Sequence, residues 1–368
     1  AASDVYKRQG VLSLSKLDLQ MSFLSAGAIV PPFALPTHTG TAFDLYSDDV
    51  AGNFVAIVFC PGGISDAAEQ LKGFAERYEA LRRAGVVVVA VSDEPQSVLA
   101  RHRDKLMLPF DLLSDQGRQL FAGYGIATDE RSLDSRPVTL LVRPNLHCLS
   151  LMRDGVHAEA TLEVVGKQRG KHIDTELAFQ PPILMVPDVL TRDDCQRLID
   201  LYDAPGVPIV KLHEIDEGDL KGDVKAKVPD YKRQDRIDHF IASEESKTFF
   251  SSRLQNRLLP EIKKAFHYEV KGYEGLRIGC YEGERGGQAH GHRDNSLPEV
   301  AHRRFALSIN LNTEEFEGGG ICFPEFGPQR YRPQNGAALV FSCSLLHEAL
   351  AVSRGRRLVL LAFLHAGK

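Results

Sequence analysis

The sequence has no excess of positive charge. Its 44 lysines and arginines stand against 49 aspartates and glutamates, which gives a net charge of -5 at pH 7. Without a basic surplus to collect on a phosphate backbone, no nucleic-acid partner is expected. Long hydrophobic runs are also missing, because the longest, Val86 to Val91 and Leu358 to Leu364, have six or seven residues. A membrane-spanning helix needs about 20, so these runs predict buried strands and no membrane association.

Cysteine is scarce and shows no Cys-x-x-Cys spacing. No secretory signal precedes the cysteines, so we expect reduced thiols in a cytoplasmic protein. The length of 368 residues, with 43% hydrophobic and 25% charged side chains, is typical of a globular chain of two or three domains. The six cysteines are Cys60, Cys148, Cys195, Cys280, Cys322 and Cys343.

The beginning of the sequence does not resemble the start of a fold. The first ten residues, AASDVYKRQG, are similar to translated adapter sequence. We therefore treat residues 1–20 as a leader, non-native or disordered, and expect the native chain to start at Met21. A disordered native leader is the alternative.

Residues 21–163 alternate apolar runs with amphipathic stretches, which predicts a mostly parallel sheet with helices on both faces. Phe54 to Phe59 is predicted to be a buried strand, and Ser65 or Asp66 to cap the following helix. Further strands are expected at VVVVAV and VTLLV, and a further helix near Gln96 to Lys105.

The same stretch resembles the peroxiredoxin and thioredoxin-like (AhpC/TSA-type) family over about residues 26–150. The matching phrases are PPFALPTHTG, VAIVFCP, AVSDEP, LPFDLLSDQGRQLFAGYGI and RPVTLLVRPN. The resemblance implies an α/β thioredoxin-like domain. It also implies a peroxidatic cysteine at a helix N-terminus, where the thiolate is favoured, but Asp66 occupies that position. Cys60 lies at the end of the preceding strand and is expected to be a packed core thiol, so we expect no peroxidase activity.

A polar and irregular stretch over residues 164–181 predicts a linker. It is followed by a second domain over residues 182–368. Thr191 and Asp194 form a capping-box pattern that predicts a helix from Asp193 to Leu201. Residues 211–236 are dense in mixed charge and predict a solvated loop, with a substrate-gripping segment as the alternative. From Tyr268 onward, short strands separated by glycine, proline and asparagine turns predict an antiparallel jelly roll.

The candidate chemistry lies in this strand-rich part. In GHRDN, alternate residues of a strand share one face, so His292 and Asp294 are predicted to point together into the barrel mouth. His347 follows 53 residues after Asp294, where a neighbouring strand can bring it beside the pair. Two histidines and one carboxylate on one face of an octahedral ion form the facial triad of non-haem Fe(II).

Arg357 stands ten residues beyond His347, on a strand expected to return beside the one before it. Its guanidinium can bind the far carboxylate of a dicarboxylic keto acid with two parallel hydrogen bonds. Since a register shift exchanges the faces of a strand, Arg356 or Arg354 could be the inward residue instead.

Residues 182–365 resemble the prolyl 4-hydroxylase branch of the Fe(II)- and 2-oxoglutarate-dependent dioxygenases. The resemblance implies that His292, Asp294 and His347 bind iron and that Arg357 binds the C5 carboxylate of 2-oxoglutarate. It places Tyr281 near the co-substrate, and Asn310 where some members have a contacting tyrosine. The matching phrases are PPILMVPDVLTRDDCQRLIDL, CYEGERGGQAHGHRDN, SINLN, EGGGICFPEFG, RPQNGAALVF and LLHEALAVSRGRR.

The sequence therefore predicts an Fe(II)/2-oxoglutarate dioxygenase fused behind a cysteine-poor peroxiredoxin-like domain. Dioxygen would be the oxidant, succinate and carbon dioxide the co-products, and a protein or small molecule of unknown identity the substrate. The resemblance implies L-ascorbate as the agent that restores oxidised iron. Two alternatives remain open: a redox-sensing or binding protein with a non-catalytic metal site, and a thiol peroxidase that uses Cys60.

Overall fold

The computed structural model describes residues 24–47, 49–126, 135–169, 180–211, 220, 222–227, 236–285 and 287–367. The chain divides into two compact units, residues 1–173 and 174–368. The predicted leader, residues 1–20, lies outside the described residues, and so does most of the predicted linker, residues 164–181. Within the described part of the chain, no helix is both long and apolar enough to cross a bilayer.

The first unit alternates strands and helices along most of its length. Its elements are β1 Ala34–Pro36, β2 Ala42–Asp44, β3 Phe54–Phe59, α1 Ala68–Glu76, α2 Tyr78–Arg83, β4 Val86–Ser92, α3 Gln96–Leu106, β5 Asp111–Ser114, α4 Gln119–Gly123, β6 Val138–Val142, β7 Cys148–Met152 and α5 His157–Arg169. The first six residues assigned to the linker thus belong to α5.

Five strands form the central sheet in the order β5-β4-β3-β6-β7. Phe54, Ala56 and Val58 of β3 enter one hydrophobic core, and the alternate residues of the strand enter a second core on the other face. A strand covered on both faces has to be apolar throughout, which explains the unbroken run in β3.

The expectation of a mostly parallel sheet is wrong for half of the strand pairs. Strands β3, β4 and β5 run parallel, whereas β6 is antiparallel to β3 and β7 is antiparallel to β6. The connection between β6 and β7 is too short for the crossover that parallel neighbours require, so the chain forms a hairpin.

The predicted helix after β3 is present but is divided into α1 and α2 at Arg77. Leu71, Phe74 and Leu81 are buried as their spacing predicts. The cap prediction is wrong, because the N-cap residue is Ala67 and no side chain caps the helix. Ser65 and Asp66 precede the cap within the turn.

The second unit is rich in strands, and its first helix follows the short strand β8. The predicted capping box is confirmed, because Asp194 N donates to Thr191 Oγ1 while Thr191 N donates to the Asp194 carboxylate. Its elements are β8 Ile183–Val186, α6 Arg192–Asp203, β9 Ile209–Lys211, β10 Val224–Lys227, β11 Ile237–Phe240, α7 Glu244–Arg253, α8 Leu259–Phe266, β12 Gly272–Glu282, β13 Ala289–His292, β14 Phe305–Asn310, β15 Glu317–Gly318, β16 Ile321–Cys322, β17 Arg330–Tyr331, β18 Ala338–Ser342, β19 His347–Ala349, β20 Val352–Arg354 and β21 Arg356–His365.

Three sheets make up the jelly roll. The largest has eight strands in the order β8-β18-β14-β21-β12-β11-β10-β9, and a smaller sheet has the order β13-β19-β16-β17. Strands β15 and β20 form a third, two-stranded sheet. All pairs that involve β12, β14 and β21 are antiparallel, as the turn-separated pattern predicts.

The interpretation of residues 211–236 as a solvated loop is wrong where the structure describes them. Val224–Lys227 is a strand of the large sheet, with Ala226 buried, and Arg236 is also buried. Residues 212–219, 221 and 228–235 of this stretch lie outside the described residues. The charged composition gave no indication of these short strands, because only some of their side chains face the interior.

Candidate metal and co-substrate site

His292 and His347 face each other across two neighbouring strands of the smaller sheet. The antiparallel register of β13 and β19 pairs His292 directly with His347, and the two ring centroids lie 4.5 Å apart. His292 is the last residue of β13 and His347 is the first residue of β19, so the two imidazoles lie at the edge where the strands open into the cavity.

Asp294 reaches the same place by a different route from the predicted one. Strand β13 ends at His292, so Asp294 lies in the following turn and not on the strand. Its backbone N donates to Cys343 O at 2.9 Å, which brings the turn back toward the segment that precedes His347. The prediction that both residues lie on one strand face is wrong, and it is this turn that brings Asp294 close to His292 and His347.

The carboxylate of Asp294 lies between the two imidazoles. His292 Nε2 lies 3.5 Å from Oδ1, and His347 Nε2 lies 3.5 Å from Oδ2. The three potential ligand atoms all lie within 4.8 Å of one another. Two imidazole nitrogens and one carboxylate oxygen suit a divalent transition metal such as Fe(II) better than a hard cation such as Mg²⁺.

Backbone carbonyls fix the tautomer of both histidines. His292 Nδ1 lies 2.7 Å from His290 O, and His347 Nδ1 lies 3.1 Å from Leu345 O. Because a carbonyl oxygen can only accept a hydrogen bond, each Nδ1 carries the proton in the neutral ring. Each Nε2 then presents its lone pair toward Asp294, which is the arrangement that metal-binding histidines adopt.

Burial and charge act in opposite directions on these groups. Burial by itself would raise the pKa of Asp294, but its contacts with His292 and His347 in their protonated, imidazolium forms outweigh burial and lower the pKa. Burial lowers the pKa of His347, whereas the nearby carboxylate raises the pKa of His292 against the effect of burial. The ionised carboxylate and the neutral His347 are the forms that bind a metal.

Arg357 lies in the cavity that contains these three residues. The cavity has a volume of about 510 Å³, which is within the usual range for small-molecule sites. Arg357 is only 2% exposed, and burial lowers its pKa to about 10, so the guanidinium stays charged at neutral pH. No described carboxylate forms an ion pair with Arg357.

The neighbours of Arg357 orient its side chain without neutralising it. Its Nε donates to Asn310 Oδ1 at 3.1 Å, and Nη2 lies 3.5 Å from Ser308 Oγ. Asn310 Nδ2 donates in turn to Pro333 O at 3.0 Å. Asn310 therefore orients the side chain of Arg357.

Tyr281 is buried between two guanidinium groups. Arg236 Nη1 donates to Tyr281 Oη at 2.8 Å, and the guanidinium carbon of Arg357 lies 5.3 Å from the centre of the ring. Arg236 also forms a bidentate pair with Asp238 at 2.5 and 2.9 Å. The predicted residue Tyr281 thus lines the cavity together with Arg236 and Asp238.

The two other arginines considered for the clamp point elsewhere. Arg356 forms a bidentate pair with Asp203, and Arg354 pairs with Glu317 at the surface. Gly355 fixes this register because it has φ +74° between β20 and β21, and a Cβ there would lie 2.5 Å from Glu315 O. Only Arg357 of the three faces the cavity.

Sequence reasoning missed Arg236 and Ser308. Arg236 fell within a charged stretch whose composition predicted solvent exposure. Ser308 alternates with Asn310 on β14, so the shared face of a strand was a usable signal for it. Arg236 carried no comparable signal, because its burial depends on Asp238 and Tyr281 from two neighbouring strands.

In the first unit, Cys60 and Asp66 lie in different surroundings. Cys60 is 1% exposed, and burial together with the charge of Glu94 raises the pKa of its thiol. Glu94 Oε2 accepts hydrogen bonds from Ile64 N at 2.8 Å and Ser92 Oγ at 2.9 Å, which fixes the turn after Cys60. Asp66 is exposed in that turn.

Two family models match separate parts of the chain. Residues 26–147 match the AhpC/TSA family, and residues 276–365 match the 2OG-Fe(II) oxygenase superfamily. These matches confirm the α/β thioredoxin-like fold of the first domain and the resemblance of the second domain to 2-oxoglutarate oxygenases.

Part of the chain is similar to several peroxiredoxins. Peroxiredoxin Bcp of Escherichia coli (strain K12) is 33% identical over 107 residues, which are 29% of this chain and 67% of that protein. The chloroplastic peroxiredoxin Q of Oryza sativa subsp. japonica is 29% identical over 107 residues, or 29% of this chain and 48% of that protein. Among solved structures, peroxidoxin BcpB from Mycobacterium tuberculosis aligns with a TM-score of 0.35 at 18% identity, over 41% of this chain and 99% of that chain.

Proposed function

Because this chain belongs to the AhpC/TSA family through residues 26–147 and carries a 2OG-Fe(II) oxygenase domain over residues 276–365, we propose that it is an Fe(II)- and 2-oxoglutarate-dependent dioxygenase. One observation carries the proposal. A facial set of two imidazoles and a carboxylate lines the same cavity as a buried, charged arginine.

In this proposal, His292, Asp294 and His347 hold the metal through Nε2, a carboxylate oxygen and Nε2. The backbone carbonyls at His290 and Leu345 keep both rings in the ligating tautomer. When bound, Fe(II) and 2-oxoglutarate would supply the oxidative chemistry, in which dioxygen converts the co-substrate to succinate and carbon dioxide and a substrate C–H bond is hydroxylated.

Arg357 binds the distal carboxylate of 2-oxoglutarate in the proposed complex. The guanidinium of Arg357 is charged and buried in the cavity, and it has no described carboxylate partner. Burying such a charge costs free energy unless an anion pairs with it. Asn310 and Ser308 set its orientation, and its guanidinium carbon lies over the ring of Tyr281. A non-catalytic metal site would have no need for such a buried clamp, which favours turnover over the redox-sensing or binding alternative.

Apolar side chains form much of the cavity wall around these polar groups. An apolar lining strengthens hydrogen bonds and ion pairs inside the site because the local dielectric constant falls. His347 also packs against Phe341, with ring centroids 4.6 Å apart. The apolar residues of the lining include Phe240, Ala289, Leu307, Ile321, Phe341, Ala349, Leu361 and Phe363.

The finer features of the activity are part of the proposal. We assign the enzyme to the prolyl 4-hydroxylase-like type on the quoted sequence phrases, with a peptidyl proline, another side chain or a small molecule as the substrate. L-ascorbate would restore oxidised iron. We place the protein in the cytoplasm, since all six cysteines are free thiols, and we expect no nucleic-acid or membrane partner.

The first domain has no peroxidase role in this proposal. The raised pKa of Cys60 keeps its thiol protonated at neutral pH, and only the thiolate attacks peroxide. Asp66, in the place of the expected nucleophile, cannot substitute for a thiol. The domain would then serve stability or partner recognition.

The test is 2-oxoglutarate turnover by the full chain. The purified protein is loaded with Fe(II) without oxygen, and succinate is measured after 2-oxoglutarate and oxygenated buffer are added. We expect succinate that depends on both Fe(II) and oxygen, even without the substrate, through slow uncoupled turnover. Succinate at the level of a metal-free control would count against the dioxygenase. Mass spectrometry for +16 products in peptide and metabolite mixtures then identifies the substrate class.

A further inference from the structure

Arg293 lies between two of the proposed metal ligands and points away from them. Its side chain forms a bidentate pair with Glu325, with Nη2 to Oε1 at 2.7 Å and Nη1 to Oε2 at 3.2 Å. The same Nη1 also donates to Ser344 O. Ser344 belongs to the turn that leads into His347, so one guanidinium contacts the segments of all three ligands.

Glu325 holds that turn from the other side. It lies in a short 3₁₀ helix, Pro324–Phe326, and its Oε2 accepts a hydrogen bond from Leu346 N at 3.1 Å. Leu346 directly precedes His347. The ion pair therefore joins the His292–Asp294 segment to the backbone next to the third ligand, although the two segments are about fifty residues apart in the sequence.

The exposure of this pair argues against a role in overall stability. The side chains of Arg293 and Glu325 are each 40% exposed, and ion pairs that are open to water contribute little to folding. Other links between the same segments remain without it, because Asp294 N donates to Cys343 O and Asn295 Nδ2 donates to Ser344 Oγ at 2.8 Å. Removing the pair should leave the fold intact.

We infer that the Arg293–Glu325 pair is a positioning device that sets the spacing of the metal ligands in the His292–Asp294 segment and in His347. The inference rests on the proposed function of this site. Metal affinity depends steeply on the positions of the ligand atoms. Loss of a group that orients a ligand commonly lowers metal affinity about 10- to 100-fold. Glu325 and Arg293 bind no metal themselves in this account and act through the backbone.

The experiment measures metal binding by the full chain, apart from turnover. Anaerobic Fe(II) titration gives the affinity, and the visible absorption of bound Co(II) reports ligand geometry. The variants are Arg293→Gln, Glu325→Gln and Arg293→Lys. The control is Arg192→Gln, which removes the exposed Arg192–Glu314 pair of the same domain, and the thermal unfolding midpoint of each metal-free variant shows whether it is folded.

We expect Arg293→Gln and Glu325→Gln to weaken Fe(II) binding about 10-fold or more and to change the Co(II) spectrum, with unfolding midpoints close to that of the parent chain. Arg293→Lys should recover part of the affinity, because an ammonium can pair with Glu325 but cannot form the fork and also reach Ser344 O. The Arg192→Gln control should bind as the parent does.

Two failures are distinguishable. If the parent chain binds Fe(II) no better than Asp294→Ala, the proposed function itself is wrong. If the parent binds and Asp294→Ala does not, while folded Arg293→Gln and Glu325→Gln keep the parent affinity and Co(II) spectrum, the positioning role is overturned. Should Arg293→Gln fail to fold, the Lys variant and Glu325→Gln decide the question by the same measurements.

Discussion

His347 Nε2 lies 3.5 Å from Asp294 Oδ2, although 53 residues separate them in the sequence. The contact results from the pairing of β13 with β19 and from the turn that returns Asp294 toward Cys343 O. A carboxylate between two imidazoles of fixed tautomer can bind a cation together with them. The bound cation would then take the place of the direct contacts between the three side chains.

The first prediction concerns Asp294. Asp294→Ala removes the only carboxylate among the proposed ligands, so the full chain should lose high-affinity Fe(II) binding and most 2-oxoglutarate turnover. Anaerobic Fe(II) titration checks the stoichiometry and the affinity. One metal per chain is expected for the parent protein.

The matched control for this variant is Glu299→Ala, which removes an exposed carboxylate close in sequence that does not line the cavity. It should bind Fe(II) as the parent does. Wild-type stoichiometry and affinity in Asp294→Ala would falsify the ligand assignment.

The second prediction is that Arg357 sets the affinity for 2-oxoglutarate without affecting iron. Truncating one partner of a buried, charge-assisted pair costs on the order of 2 to 5 kcal/mol, which is a weakening of roughly 30-fold to several thousand-fold. Arg357→Ala should therefore keep Fe(II) binding and lose succinate formation at ordinary co-substrate concentrations. Arg357→Lys should recover only part of it.

Arg356→Ala is the comparison for Arg357, since Arg356 pairs with Asp203 outside the cavity. Its KM for 2-oxoglutarate should stay near the parent value. A larger rise in KM for Arg356→Ala than for Arg357→Ala would assign the clamp to the neighbour.

The third prediction is that Cys60 is unreactive in the folded chain. Its buried, protonated thiol should not be oxidised by peroxide, so the full chain with a thiol reductant should consume peroxide no faster than buffer. Mass spectrometry after brief peroxide treatment should find no sulfenic acid at Cys60. Peroxide consumption by the parent chain that disappears in Cys60→Ser would revive the peroxidase alternative.

The fourth prediction concerns stability and pH at Glu274. Burial by itself would raise its pKa, but hydrogen bonds from Arg303 at 2.7 Å and His302 at 2.8 Å lower it from 4.5 to about 2. A lowered carboxyl pKa stabilises the fold above the unfolded pKa, and this contribution is lost as pH falls toward 2. The lowering of the pKa from 4.5 to about 2 corresponds to about 3 kcal/mol at pH 7 as an upper bound. Solvent screening at this partly exposed carboxylate reduces that contribution.

Calorimetry of the full chain should show that Glu274→Gln lowers the unfolding temperature of the second domain at pH 7. The difference from the parent should shrink as the pH is lowered from about 4.5 toward 2. Glu299→Gln, at an exposed position, is the control and should follow the parent at each pH. A difference that stays constant down to acid pH would mean that charge at Glu274 is not the cause.

Much of the fold could be predicted from the sequence because its signals are local. Unbroken apolar runs such as Phe54 to Phe59 predict strands with two covered faces, and Thr191 with Asp194 predicts a helix start. Both signals depend on residues that are only a few positions apart in the sequence. The parallel or antiparallel direction of β6 was not predictable in this way, because strand direction depends on which neighbour the strand meets.

The sequence alone determined which residue types the site contains: two histidines, an aspartate and a candidate arginine at set spacings. The tertiary structure decided that Asp294 joins the histidines from a turn, that Arg357 and not Arg356 faces inward, and that Arg236 is buried beside Tyr281. The physical reason is that residue type and spacing fix only local conformation. Burial and side-chain direction depend on strand register and on turns such as the one at Gly355, which bring together groups that are distant in the sequence.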